Sequence, residues 1–182
     1  MFDPTIFDNI KVVLEGIVYD LDLEEIIQIT DRKDLVDLAS MSRTYSIQFS
    51  KKQNNKISAQ CILSTSVEDL SMEILEHDMQ QPGCKLEVNF VIDFVGQSID
   101  EVSNQAQIIE KTLQKIWENR PHITQKFSFE SNQEVTEVLI QNEIRLDFKR
   151  KINENQLSDL EVLIDQVILS LNTLKDKVNY PT

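Results

Sequence analysis

The sequence predicts an α+β fold: a mainly antiparallel, curved sheet of about six to eight strands with three helices, two of them long and amphipathic (about 98–119 and 158–178) and packed on the sheet. Three observations point there. Residues 85–95 alternate, with Leu86, Val88, Phe90, Ile92 and Phe94 on one face and Glu87, Asn89, Val91 and Asp93 on the other, the period of a half-buried strand. Residues 43–50 and 56–65 alternate in the same way around Lys51-Lys52-Gln53-Asn54-Asn55, the polar turn of an antiparallel hairpin. Ser98-Ile99-Asp100-Glu101 and Ser158-Asp159-Leu160-Glu161 have capping-box spacing, and each precedes apolar residues repeating at three and four. Helices are not regularly interleaved with strands, which disfavours a doubly wound parallel sheet. No Ser/Gly/Pro-rich linker divides the 182 residues, so 1–182 reads as one domain.

Taken in order, residues 10–20 are rich in β-branched side chains and read as a first strand, with a bulge at Gly16. Residues 23–40 fit two structures: Ile27 and Ile29 suit a strand, while residues 34–39 suit the start of a helix. After the hairpin, Ser66-Val67-Glu68-Asp69 opens a short helix to about Met79, which Gln81-Pro82-Gly83 stops. In the first long helix Ile99, Val102, Ala106, Ile109, Leu113 and Ile116 make the stripe, Trp117 widens it, and Pro121 lies beyond its end. Strands at 123–129 and 138–148 follow. Asn142 shares an apolar face with Ile140 and Ile144, so it needs an edge position or a hydrogen-bond partner inside. In the last helix Leu157 and Val162 are spaced as a hydrophobic staple, and Leu160, Ile164, Val167, Leu171, Leu174 and Val178 form the seam.

Charge narrows the partners. Thirty-one Asp and Glu against 18 Lys and Arg give a net charge of −13, which repels nucleic-acid phosphate at long range. The basic residues fall in two knots, Arg43, Lys51, Lys52 and Lys56, and Arg145, Lys149, Arg150 and Lys151. They make one positive stripe if their strands are neighbours. Tyr45 and Phe49 sit among them like a base-stacking platform, but the alternation assigns them to the buried face of the hairpin. Nucleic acid is therefore disfavoured as a partner. Apolar runs are far shorter than the roughly 20 residues a membrane helix needs. The N-terminus shows no basic stretch followed by an apolar one, and only two cysteines occur, which together suit a cytoplasmic protein with free thiols.

Recognisable chemistry is sparse. Gly16, Gly83 and Gly96 are too far apart for a phosphate-cradling loop or a nucleophile elbow. His77, His122, Cys61 and Cys84 have no zinc-motif spacing. Cys61 is in register with Ile57, Ala59 and Leu63 and reads as core. Cys84 starts a strand, His77 closes the short helix, and His122 lies in a loop after Pro121. Ile17-Val18-Tyr19-Asp20-Leu21-Asp22 resembles, over six residues, the first motif of haloacid-dehalogenase-type phosphatases. That resemblance implies Asp20 as nucleophile and Asp22 as acid/base beside magnesium. The chain continues Leu23-Glu24 where that family has Gly-Thr, so Asp20, Asp22, Glu24 and Glu25 are read instead as an exposed acidic turn or helix start. No catalytic, cofactor-binding or metal-binding residue is assigned. The leading expectation is a non-catalytic protein-interaction or assembly domain, a homodimer being one form, using a helix seam or a sheet edge. The alternative is a small-ligand or enzymatic domain, with divalent-cation dependence as one option. Its Phe-lined pocket would lie between the sheet and the last helix, with the acids at 20–25 or His122 as polar groups.

Overall fold

The computed structural model describes residues 4–52, 54–75, 82–96, 99–129 and 138–177. It opens with a helix, α1 (Thr5–Leu23), where β-branched composition suggests a strand. Periodicity decides the matter: Phe7, Ile10, Leu14 and Val18 recur at three and four residues and are the buried positions, which outweighs the context-dependent strand preference of valine and isoleucine. Gly16 accordingly sits on the exposed side of a helix and makes no bulge. The helix ends without glycine. The Ile26 and Glu25 amides donate to the carbonyls of Leu21 and Asp22, a Schellman turn in which Glu25 takes the left-handed conformation (φ 61°).

Next come β1 (Gln28–Asp37), β2 (Ser42–Lys51), β3 (Asn54–Thr65), the short α2 (Val67–Leu75), β4 (Cys84–Gly96), α3 (Ile99–Ile116), β5 (His122–Phe129) and β6 (Val138–Ile152). A 3-10 turn at Glu154–Gln156 leads into α4 (Asp159–Lys175). Among the described residues there are thus four helices rather than three, and six strands. The strands form one antiparallel sheet in the order β1-β2-β3-β4-β6-β5. Residues 23–40 resolve as the C-terminal end of α1 and an edge strand.

One face of the sheet is apolar across its width. Ile47 lies opposite Cys61, Cys61 opposite Val88, and Val88 opposite Leu146, with Phe49, Ala59, Phe90 and Ile144 forming the next row. Helices α1, α4 and α3 cover this face, α4 touching both of the others. The opposite face carries Ser46, Gln48, Gln60 and Asn89 and, further along, Lys85, Glu87, Arg145 and Asp147. Asn142 is fully buried on the helix side and donates to Gln125 Oε1 (2.8 Å), while Gln125 donates to the Ala106 carbonyl (2.9 Å). This chain of bonds ties β6 through β5 to α3 and satisfies the Asn142 side-chain N–H, while its Oδ1 stays buried without a hydrogen-bond partner. Phe129, at the end of β5, is exposed rather than covered.

The helix starts differ from their sequence patterns. Ser66 Oγ donates to the Asp69 carboxylate (3.1 Å) instead of accepting an amide. Ser158 is already helical (φ −65°, ψ −20°) and makes no capping bond, because the chain begins to coil at the preceding turn. The capping box lies there: Asn153 Oδ1 accepts the Asn155 amide (3.0 Å) and Gln156 Oε1 accepts the Asn153 amide (2.9 Å). Leu157 packs on the core while Val162 stays exposed, so the expected staple is not the organising contact. Ser98, His77, Gln81 and Val178 lie outside the described residues.

Candidate functional site

The acids at 20–25 belong to the last turn and cap of α1 rather than to the end of a strand. Asp22 accepts the Ile29 amide (3.0 Å) and Glu25 pairs with Lys52 (2.7 Å), so they join α1 to the hairpin. The strand that the phosphatase-like motif requires before its first aspartate is absent here. Cys61 is wholly buried on β3 and burial pushes its thiol up to about 12. Cys84, also buried and in no disulfide, is pushed up to about 12, chiefly by burial, which outweighs a hydrogen bond with Thr65, and the carboxylates of Asp69 and Glu73 add to the rise. His122 is the first residue of β5 rather than part of a loop, and it faces Asp147 across the strand pair. Among the described residues, no three His, Cys, Asp or Glu converge as a metal site.

The two basic knots do not merge, because β4 separates β2 and β3 from β6. Carboxylates hold many of their members. Asp34 takes Arg43 with two bonds of 3.0 Å, Glu87 takes Arg145, Asp147 takes Lys149 (3.0 Å) and Asp69 takes Lys151 (2.6 Å). Tyr45 and Phe49 are buried, and burial holds the Tyr45 hydroxyl above the ordinary tyrosine range.

Two features do gather, both at the end of the sheet where β1, β3 and β6 stop and β2, β4 and β5 begin. The first is the turn between β1 and β2, where Leu38 is 84% exposed and Leu35 58% exposed, with Val36 and Met41 also open to solvent. Asp37 accepts the amides of Ala39 (2.8 Å) and Ser40 (3.3 Å), which fixes the turn and presents these side chains outward. The exposed Ile74 and Leu75 of α2 lie toward the same end.

The second is a cleft of about 600 Å³ between the end of α3, the start of α4 and the last residues of β6. It arises from a local irregularity in the sheet. Three residues of β4, Lys85 to Glu87, span five of β6, Asp147 to Lys151, and Lys149 bends the strand with φ 55°. Pairing with β5 begins only at His122 opposite Asp147, so residues 148–152 run on past β5. Phe148 meets Trp117 there at 5.5 Å and 60°, and Trp117 Nε1 donates to Ser170 Oγ (3.0 Å), which locks the indole against α4. Leu86 and Ile152 from the sheet and Val162, Leu163, Gln166 and Asp159 from α4 complete the lining with Arg120 and Arg150.

This cleft sits between sheet and last helix and is lined by a phenylalanine, but neither the acids at 20–25 nor His122 contributes to it. Arg120 and Asp159 carried no signal in the sequence beyond a charged residue next to a helix end. Trp117 followed by Arg120-Pro121 marks where α3 stops, and that is the only local clue. Compared with protein-family models, curated proteins and solved structures, the chain matches none of them.

Proposed function

We propose that this protein is a non-catalytic, acidic interaction or assembly domain that works in the cytoplasm through protein contact, a second copy being one partner, and that the β1–β2 turn is its contact surface. One observation carries the reading: Leu35, Val36, Leu38 and Met41 stand exposed together on a turn fixed by Asp37. Apolar side chains clustered in this way on a surface favour burial against another protein. The other surfaces considered from sequence are weaker. Leu113 and Leu171, at the centres of the two helix seams, lie in the domain's own core. The β1 edge is blunted by the register shift between Ile29 and Asp31 and by the run Asp31-Arg32-Lys33-Asp34. Two buried cysteines in no disulfide suit a reducing compartment.

The test is sedimentation and light scattering of the wild-type protein and of the Leu38→Asp/Met41→Asp variant, with melting followed in parallel. The reading expects association of the wild type, loss of it in the variant, and a melting temperature within a few degrees, because exposed positions contribute little to folding. A wild type that stays monomeric at every concentration, and shows no cross-linked partner dependent on Leu38, overturns it.

A further inference from the structure

The cleft is remote in kind from the apolar turn, and its lining is chemically divided. Trp117, Phe148 and Leu163 give an apolar floor, and Arg120 and Arg150 stand at its rim. In a chain of net charge −13, two guanidinium groups on one concavity run against the average field of the molecule. Arg120 is held by Glu118 (2.6 Å), whereas Arg150 makes no ion pair among the described residues. Among the described residues, Asp159 is the one carboxylate on the lining.

We infer that this cleft is a binding site for a small organic anion that carries a single carboxylate on an apolar body, an aliphatic or aryl acid. A guanidinium matches a carboxylate with two parallel N–H bonds, a geometry that a lysine ammonium does not offer. The volume of about 600 Å³ lies within the usual range for small-molecule sites. The apolar body replaces water over Phe148, Leu163 and Val162, above the buried Trp117, which supplies the affinity that an exposed ion pair alone lacks. Asp159 sets the charge of the ligand: it repels a second carboxylate or a polyphosphate brought beside the first, and it accepts a hydrogen bond from any hydroxyl or amine the body carries. The site is independent of the protein-contact reading, since it shares no residue with the β1–β2 turn.

Trp117 is the only tryptophan in the sequence, so selectively excited tryptophan emission reports on the surroundings of this cleft. The experiment titrates the full chain with decanoate below its micellar concentration, with decanamide as the uncharged counterpart and inorganic phosphate as an anion without an apolar body. The expected result is a saturable change in Trp117 emission with decanoate, at least about tenfold tighter than with either control. Arg150→Gln and Arg120→Gln should each weaken decanoate about tenfold or more, with the melting temperature unchanged because both side chains are exposed. Val162→Asp, also at an exposed position, should weaken it further by placing a carboxylate on the apolar wall. Three results overturn the inference: no saturable change with decanoate, equal binding of decanamide or phosphate, or decanoate affinity that survives loss of both arginines.

Discussion

Gly16 and Gly83 are glycine for opposite reasons, and their alanine variants separate the two. A Cβ at Gly16 meets nothing within 4 Å, and the residue lies mid-helix on the exposed side of α1, where glycine costs backbone entropy without any steric return. Gly16→Ala is expected to stabilise the fold by about 0.5–1 kcal/mol. At Gly83 a Cβ would stand 2.7 Å from the Ile152 carbonyl oxygen, a backbone atom of the paired strand β6 that cannot move aside without shifting the ladder. Gly83→Ala is expected to destabilise by about 1–3 kcal/mol, the usual range for overpacking. Urea midpoints of the two variants check both signs. Gly16 also shows why α1 was hard to read. Glycine, valine and isoleucine all speak against a helix locally, and the helix forms because Phe7, Ile10, Leu14 and Val18 fall on one stripe that the sheet can bury.

At the level of elements, the strands from the first hairpin onward were legible, whereas α1, β1 and the helix ends were not. Alternation over 43–50, 56–65 and 85–95 reports which face of a strand is buried, and the register confirms it, with Tyr45 opposite Leu63 and Leu63 opposite Leu86. Caps depend on one or two hydrogen bonds and on where the chain begins to coil. At α4 the box at Asn153–Gln156 displaces the equally well-spaced one at Ser158. The cleft was harder still, because it depends on the bulge around Lys149 and on the early end of β5, neither of which has a sequence signal in residues 145–152. The helix seams make the element-scale prediction. Leu113 and Leu171 are buried in the core, so replacing either with Asp buries a carboxylate without a partner. Each variant should lose several kcal/mol, about 3 or more, and fail to give the cooperative circular-dichroism transition of the wild type. A Leu113→Asp protein that folds normally and loses only self-association would return that seam to the surface.

Across the whole molecule, an excess of acid coexists with carboxylates that hold the structure together. Asp34 receives two bonds from Arg43 and one from Lys11 (2.8 Å), joining β1 and β2 to α1, and the Arg43 guanidinium is the main reason its carboxyl is held at about 2 rather than 3.8. Asp147 is also held at about 2, first by the Lys149 amide (2.9 Å) and then by the side chains of Lys149 and Lys85, at the bulge that shapes the cleft. In both cases the folded state favours the charged form. Their contribution is therefore complete above the unfolded value of 3.8 and is lost as pH falls towards about 2. Acid also removes the net charge of −13 and leaves the 18 Lys and Arg unopposed, so repulsion among cations grows over the same interval. Urea midpoints measured from neutral pH downward should hold nearly level and then fall steeply below about pH 4. Asp34→Asn should start lower at neutral pH, descend more gently, and meet the wild-type curve near the acid end. Two curves that stay parallel throughout would show that the Asp34–Arg43–Lys11 cluster, for all its good geometry, leaves stability unlinked to its charge.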